Sequence, residues 1–157
     1  MTEPVTFDES TPRFAFPMLY AAQAQKEYFV NEALSRVDAL MQCVVEGIAS
    51  SEPATPQNGQ NWIVANAASG AFQGQDGKIA CRQQGQWLFA APSPAMLVFD
   101  RTLGKQRRFD GEWVSAQEVE LPGGGPIVDT EARAAIAALR EAMVRAGILT
   151  GGQEIVS

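Results

Sequence analysis

The first helical pattern of the chain is a run of apolar residues spaced alternately by three and four positions. The run consists of Leu34, Val37, Met41, Val44 and Ile48. This spacing places the five side chains on one face of an α-helix, which we expect over residues 21–48 and ending near Gly47. A regular 3,4 alternation is also typical of a coiled-coil seam, although here it lasts for only about two heptads. The seam is therefore predicted either to pack on the chain's own domain or to form a subunit interface.

Residues 59–119 show the two-residue alternation of β-strands instead, interrupted by turn glycines. The runs are NWIVAN, GKIACRQQGQWLFAA and AMLVFDRTLGKQRRFDGEWVSA. In the last run Asp110 and Gly111 form a dipeptide that favours a tight hairpin between its flanking residues. We expect a small antiparallel meander, barrel-like in shape, of about five or six short strands.

A second helix is predicted after the Gly/Pro-rich hinge LPGGGP, over residues 127–149. Asp129 or Thr130 is suited to cap its start, and Gly147 is suited to end it. Its apolar positions, again three and four apart, are Ile136, Leu139 and Met143.

These elements predict an α+β protein with three regions. An N-terminal arm and assembly helix occupy residues 1–48, the β module occupies residues 59–119, and the C-terminal helix occupies residues 127–149. Neither helix is long enough to be stable alone in water, so both apolar seams need cover. We expect the helices to form an oligomeric bundle in a homo-oligomer, with a trimer favoured.

Charge and hydropathy exclude several classes of partner. The formal net charge is −6, which argues against nucleic acid, because phosphate binding requires clustered Lys and Arg. The one basic cluster, Lys105, Arg107 and Arg108, is expected to be a solvated hairpin edge. No run reaches transmembrane length, so we expect no membrane insertion. The acidic start MTEPVTFDES is unlike a signal peptide, which indicates synthesis in the cytoplasm.

The residue types point away from catalysis. The chain has no histidine, which removes histidine-based triads and His-containing zinc motifs. Cys43 and Cys81 match no metal-site spacing and are expected to be small buried side chains. Asp100, Asp110 and Glu112 are the dense acidic group of the β module, and a glycan hydrolase using such a carboxylate pair is the least favoured alternative. We therefore expect no enzyme activity, no metal and no cofactor.

Three tryptophans, Trp62, Trp87 and Trp113, each follow a predicted turn. An exposed indole could stack on the apolar face of a sugar, and nearby amides such as Gln83, Gln84 and Gln86 could hydrogen-bond its hydroxyl groups. The alternative is that each ring fills a small β core, where one aromatic residue per hairpin satisfies packing.

The stretch FPMLYAAQAQKEYFVNEALSRVDALMQ resembles an uncharacterised domain family of bacterial prophages and gene-transfer-agent-like particles. The residues that carry the resemblance are Pro17, Gln23, Ala24, Gln25, Lys26, Asn31, Glu32, Ala33, Leu34, Asp38, Ala39 and Leu40. The segments PQNGQNWIV and GQWLFAAP extend the likeness to roughly residues 16–115. The resemblance implies a virion component, such as a head or tail fibre or spike, and carries over no catalytic residue.

On that resemblance we expect a non-enzymatic attachment subunit, made in the bacterial cytoplasm and located in the virion. Its partners would be copies of itself, other virion proteins and a cell-surface glycan. The polar side chains Gln23, Gln25 and Asn31 are expected to bond across a subunit axis or to a neighbouring virion protein, with the apolar seam below them as interface. The alternative function is a monomeric carbohydrate-binding module.

Overall fold

The computed structural model describes residues 10–19, 26–123 and 129–150, and the chain divides into two compact units, residues 1–92 and 93–157. The described residues form two long helices and eight strands, which confirms the α+β class. The first unit contains α1 (Lys26–Leu40), β1 (Val44–Val45), β2 (Ile48–Ala49), β3 (Asn61–Val64), β4 (Ile79–Gln83) and β5 (Gln86–Ala90). The second contains β6 (Leu97–Asp100), β7 (Lys105–Phe109), β8 (Trp113–Ser115) and α2 (Thr130–Arg145).

The first unit is built on a mixed sheet in the order β2-β3-β4-β5. Strand β2 runs parallel to β3, whereas the β3–β4 and β4–β5 pairs are antiparallel. The β4–β5 hairpin turns at Gln84 and Gly85, whose φ angles are 46° and 76°. Two consecutive positive φ angles are those of a type I′ turn, which matches the twist of the strands it joins.

One face of this sheet holds an aromatic core. Phe72, in a short 3₁₀ turn at Gly70–Phe72, is fully buried and packs with Val64 and Ala80. Its ring lies edge-on to Trp87 and Phe89, with centroids 4.9 and 5.8 Å away. Such edge-to-face pairs add to the free energy of simple area burial.

The opposite face of the sheet lies on the side of α1. Ile63, Ile79 and Cys81 are buried there, at alternate positions of their strands. The Asn61 side chain donates from Nδ2 to the carbonyl oxygen of Val44 at 3.0 Å, which ties the chain after α1 to the sheet.

The predicted helix over 21–48 is wrong at its C-terminal end, because α1 stops at Leu40. Gln42 has a φ of 45°, which a continuing helix does not allow, and the apolar positions Val44 and Ile48 lie in β1 and β2. β-Branched residues favour strands, and Ile48 pairs with Ile63 in the sheet. The five seam residues therefore share no single helical face. Residues 21–25 lie outside the described residues.

Helix α1 docks with polar and small residues rather than with an apolar stripe. Its buried residues are Glu27, Ser35, Asp38 and Ala39. The predicted seam residues Val37 and Met41 are exposed and Leu34 is half-buried.

The buried Asp38 carboxylate is satisfied by the N-terminal arm. It accepts hydrogen bonds from Thr11 Oγ1 at 2.6 Å, the Phe14 N–H at 2.7 Å and the Arg13 N–H at 3.1 Å. The Arg13 guanidinium donates in turn to the carbonyl oxygens of residues 38, 39, 41 and 42 at the end of α1. A helix leaves its last carbonyls without intrahelical partners, so Arg13 acts as a C-terminal cap.

The second unit contains an antiparallel β6–β7–β8 meander. The fully buried Asp100 accepts from Arg107 Nε at 2.6 Å and from the Leu103 N–H at 3.1 Å, which fixes the β6–β7 turn. The predicted Asp-Gly hairpin is confirmed, since Phe109 pairs with Trp113 across a turn in which Gly111 has a φ of 80°.

Helix α2 ends at Arg145, four residues before the predicted end at 149, but its predicted cap and its terminating glycine are confirmed. The Asp129 carboxylate accepts from the Ala132 N–H at 2.9 Å, and Gly147, with a φ of 69°, follows the last turn. No residue of α2 is buried.

The predicted β module at 59–119 spans both units, and its predicted barrel-like shape is not found. The strands β3–β4–β5 and β6–β7–β8 pair antiparallel in sequence order, as a meander does, but in two separate sheets, and no closed barrel is found among the described residues.

Candidate functional site

A groove of about 670 Å³ lies in the first unit, between α1, the N-terminal arm and the β4–β5 hairpin. This volume is in the range of ligand sites in proteins, which is about 300–1,000 Å³. Met18 and Leu19 of the arm form one wall, and Leu88 of β5 contributes apolar surface.

Side-chain periodicity explains why so many polar groups meet there. Glu27, Asn31 and Ser35 stand four residues apart on α1 and therefore share one helix face. Gln83 and Gln86 are directly paired across β4 and β5, so their side chains share one face of the sheet. Helix and hairpin thus contribute polar groups to the same groove.

Gln83 is the distinctive residue of the groove. Its side chain lines the groove and is only 5% exposed. Neither Oε1 nor Nε2 has a hydrogen-bond partner among the described residues. A buried polar group without a partner costs about 1–3 kcal/mol of folding free energy, and native proteins leave few such groups. At the floor of the groove there is therefore one enclosed amide whose donor and acceptor no described residue satisfies.

The other amides of the groove have defined roles. Asn31 Oδ1 accepts from the Leu19 N–H at 2.9 Å, and Asn31 Nδ2 donates to the Leu19 carbonyl at 3.0 Å. This bidentate contact holds the arm as a wall of the groove. Gln84 Nε2 lies 2.9 Å from Met18 Sδ, so the hairpin tip also touches the arm.

The groove has two acidic lining residues among those the structure describes. Glu27, which is buried, and Glu32 are its acidic lining residues, and no Lys or Arg of the described ranges lines it. Glu32 Oε1 pairs with Arg36 Nη2 at 2.7 Å, and Arg36 also donates to the Phe89 carbonyl at 3.2 Å.

One aromatic ring is free to meet a ligand at the groove. Tyr28 lines the groove and is 73% exposed. Its neighbour Phe29 is 79% exposed but does not line it. Sequence reasoning missed Tyr28, because one aromatic residue in a helix gives no pattern that marks it as facing a groove.

Each of the three tryptophans packs edge-on against another aromatic ring. Trp62 is 9% exposed, and Trp87 packs edge-on against it with centroids 5.7 Å apart. Trp87 borders the groove, but the Arg82 guanidinium covers its ring and its Nε1 donates to Glu52 at 3.2 Å. Trp113 belongs to the second unit and packs edge-on to Phe109 at 5.3 Å. The surroundings of Trp62 and Trp87 are therefore those of packing residues.

The residues expected at an assembly interface have different positions. Gln23 and Gln25 lie outside the described residues, and Asn31 bonds to the arm of its own chain. In α2, Ile136 and Leu139 are 41% and 58% exposed, and Met143 is half-buried.

The acidic residues weighed for hydrolysis are engaged separately. Asp100 is held by Arg107, and Asp110 pairs with Arg108 at 2.8 Å on the surface. Glu112 is exposed in the hairpin turn. No group of three or more His, Cys, Asp or Glu residues in the described ranges is arranged to hold a metal ion.

Both cysteines are free and buried, as predicted. Burial raises the pKa of Cys43 to about 11 and that of Cys81 to about 12. The two thiols are therefore protonated at neutral pH and poor nucleophiles. Separately, neither helix of the described chain has the length and apolar character that a membrane span requires.

A protein-family model matches somewhat more than half of the chain. Residues 30–114 match the model of a family described as "Protein of unknown function (DUF2793)". The match includes most of α1 and the whole β4–β5 hairpin, and hence Asn31 and Gln83 of the groove. No curated protein sequence matches the chain. Because the family model covers more than half of the sequence, the chain belongs to the DUF2793 family.

Proposed function

We propose that the protein is a non-enzymatic attachment subunit of a phage-like particle, and that it binds a host polysaccharide in the groove of the first unit. The observation that carries this proposal is the buried Gln83 amide, which has no partner among the described residues at either polar atom and lines the groove.

The chemistry of the groove suits a polyhydroxylated ligand. Sugar hydroxyl groups both donate and accept hydrogen bonds, as an amide does, so Gln83 can satisfy two of them at once. Gln84 and Gln86, at the exposed hairpin tip, add further amides at the rim. The exposed Tyr28 ring adds an apolar surface on which a pyranose face can lie.

The particle itself is suggested by the sequence. The segment that contains Gln25, Lys26, Asn31 and Glu32 resembles proteins of prophages and gene-transfer-agent-like particles. This resemblance supports the proposal that the protein belongs to a virion assembled in the bacterial cytoplasm, beside other virion proteins.

Assembly into a homo-oligomer, with a trimer favoured, would strengthen attachment. The exposed Ile136 and Leu139 on α2 give an apolar surface that copies of the chain could bury. A single groove with a few polar contacts binds weakly, whereas several linked grooves raise the overall affinity by about 10²–10⁴-fold.

The test is adsorption of particles to host cells with and without this subunit. Particles that lack it should assemble but adsorb poorly, and added purified protein should compete with intact particles for cells. Equal adsorption by both kinds of particle would rule out the attachment role.

A monomeric carbohydrate-binding module is the second candidate. It is favoured by the location of the whole groove within the first unit, since no second copy is needed to form it. Light scattering during a glycan titration separates the attachment subunit from the carbohydrate-binding module. The module must bind the glycan as a monomer, and it must be absent from phage-like particles.

A further inference from the structure

Resting on the proposed homo-oligomer, we infer that each subunit docks the outer face of its helix α1 onto the apolar face of helix α2 of a neighbouring copy, and that three such contacts close a ring. The outer face of α1 consists of Phe29, Val30, Ala33, Val37 and Met41. The apolar face of α2 consists of Ala132, Ala135, Ile136, Leu139 and Ala142.

The outer face of α1 lies opposite the side by which this helix docks on its own unit. The docked side is marked by the buried residues of the helix, which are Glu27, Ser35, Asp38 and Ala39. On the outer face Phe29 is 79% exposed and Val37 is 50% exposed, and Val30 and Met41 are also exposed. A contiguous apolar stripe turned to solvent is typical of a surface that binds another protein.

The apolar face of α2 has the complementary shape. No residue of α2 is buried, and Ile136 and Leu139 are exposed on this face. The rest of the face is alanine, whose small side chain lets a second helix approach closely. The outer face of α1 supplies bulky side chains, chiefly Phe29 and Val37, so large residues on one helix meet small residues on the other. A 16-residue helix needs packing of this kind to be stable.

The available area fits a closed ring better than a single contact. The outer face of α1 presents roughly 400 Å² of apolar surface, to which the Phe29 ring contributes most. One contact with a matching area of α2 buries roughly 800 Å² in total, which is small for a stable pair of proteins. Three contacts bury roughly 2,400 Å², which is enough for a stable assembly. A contact between two different faces is heterologous, and heterologous contacts close into rings.

Cysteine cross-linking of the full-length protein tests which faces meet. Ala33→Cys places a thiol near the middle of the outer face of α1, and Ala135→Cys places one on the apolar face of α2, at exposed positions in both cases. The two variants, one of them lengthened by a tag, are co-expressed and treated with a short bis-maleimide. The native Cys43 and Cys81 are buried, and the unmodified chain measures their background. The matched control is Gln73→Cys, at an exposed position outside both helices.

We expect a cross-link between the Ala33→Cys chain and the Ala135→Cys chain, recognised by the size of the tagged product. Either variant expressed alone should give only the background of the unmodified chain, and so should Gln73→Cys expressed with Ala135→Cys. A cross-link in Ala33→Cys alone would mean that α1 meets α1, and one in Ala135→Cys alone that α2 meets α2. Either result, or no cross-link above background in a native trimer, would overturn the inference and leave the proposed oligomer intact.

Light scattering supplies an independent readout. Val37→Asp puts a charge into the apolar contact, so we expect the trimer to dissociate into monomers at micromolar concentration. The matched control is Ile48→Asp, at a β-branched residue of β2 that is 49% exposed, and it should remain a trimer. The melting curve of the Val37→Asp monomer should still show cooperative unfolding, because Val37 is half exposed and not part of a core.

The remaining outcomes separate the inference from the proposed function. A trimer that survives Val37→Asp would show that α1 is not in the interface, and a native dimer would overturn the three-membered ring. A native monomer would remove the proposed oligomer itself. Attachment is tested apart from all of these, by the adsorption of particles with and without the subunit.

Discussion

Arg13 and Asp38 bind each other twice through different groups. The Arg13 N–H donates to the Asp38 carboxylate at 3.1 Å, and the Arg13 guanidinium donates to the Asp38 carbonyl oxygen at 2.7 Å. The backbone of the arm is thereby tied to the side chain of the helix, and the side chain of the arm to the backbone of the helix. The contact holds the arm whose continuation, at Met18 and Leu19, forms a wall of the groove.

Replacing Asp38 by Ala should strongly destabilise the first unit. The change leaves the N–H groups of Arg13 and Phe14 and the Thr11 hydroxyl without their acceptor. Hydrogen bonds to a charged group contribute about 1.5–3 kcal/mol each, and the losses are not additive, so we expect about 3 kcal/mol overall. Urea unfolding measures this loss of unfolding free energy.

The control is Glu32→Ala, which breaks an exposed ion pair that contributes at most about 1 kcal/mol. Equal losses of unfolding free energy for the two variants would contradict a stabilising role of the buried hydrogen bonds to Asp38.

Trp87→Ala should act on stability rather than on a stacking surface. The ring packs against Phe72 and Trp62 and is covered by Arg82, so its removal leaves a void in the aromatic core. A Trp→Ala change in a core costs about 3–5 kcal/mol, and the half-buried position of Trp87 suggests the lower end. Thermal unfolding, with Trp87→Phe as the milder control, checks this. Loss of host-cell binding at an unchanged melting temperature would restore Trp87 as a ligand platform.

Ile136→Asp combined with Leu139→Asp should dissociate the proposed oligomer. Both residues lie on the apolar side of α2, where a buried charge in a subunit interface is strongly unfavourable. The control is Ala134→Asp, which lies on the opposite side of the same helix. Multi-angle light scattering should report a trimer for the native chain and the control, and a monomer for the double variant. A native chain that is monomeric at micromolar concentration would contradict assembly through α2.

The free energy of unfolding should fall as the pH rises above about 9, because the two buried thiols resist ionisation in the folded chain. Burial raises the folded-state pKa of Cys43 to about 11 and that of Cys81 to about 12, from an ordinary value of 9.0. Between these values the unfolded chain loses thiol protons that the folded chain retains, so alkali favours unfolding. The unfolding free energy of Cys81→Ala should therefore decline less steeply between pH 9 and 12 than that of the native chain. Parallel declines would show that Cys81 is not shifted.

The helix ends and the hairpin turn could be predicted from the sequence, because each depends on the types of a few neighbouring residues. Asp129 caps α2 and Gly147 ends it because a side-chain acceptor and a left-handed residue are needed at those places. The Asp110–Gly111 turn is predicted for the same kind of reason.

The end of α1 was not predictable in this way. Val44 and Ile48 continue the helical spacing of Leu34 by coincidence, whereas sheet pairing and the Gln42 backbone determine their actual conformation. The amides near Trp87 were recognised from the sequence as possible sugar contacts. What distinguishes Gln83 is the absence of a partner among the described residues, and that depends on which residues surround it in three dimensions.

The rim of the groove includes two exposed glutamines at the tip of the β4–β5 hairpin. Gln84 occupies the turn, with a φ of 46°, and its Nε2 touches Met18 of the arm, whereas Gln86 is exposed in β5. Single-nucleotide changes convert a glutamine codon into one for Lys, Glu, Arg, His or Leu, and such changes at the exposed tip would leave the sheet intact. Under the proposed attachment role, substitutions at Gln86 would give a short genetic route to a changed rim while the backbone of the sheet stays as it is.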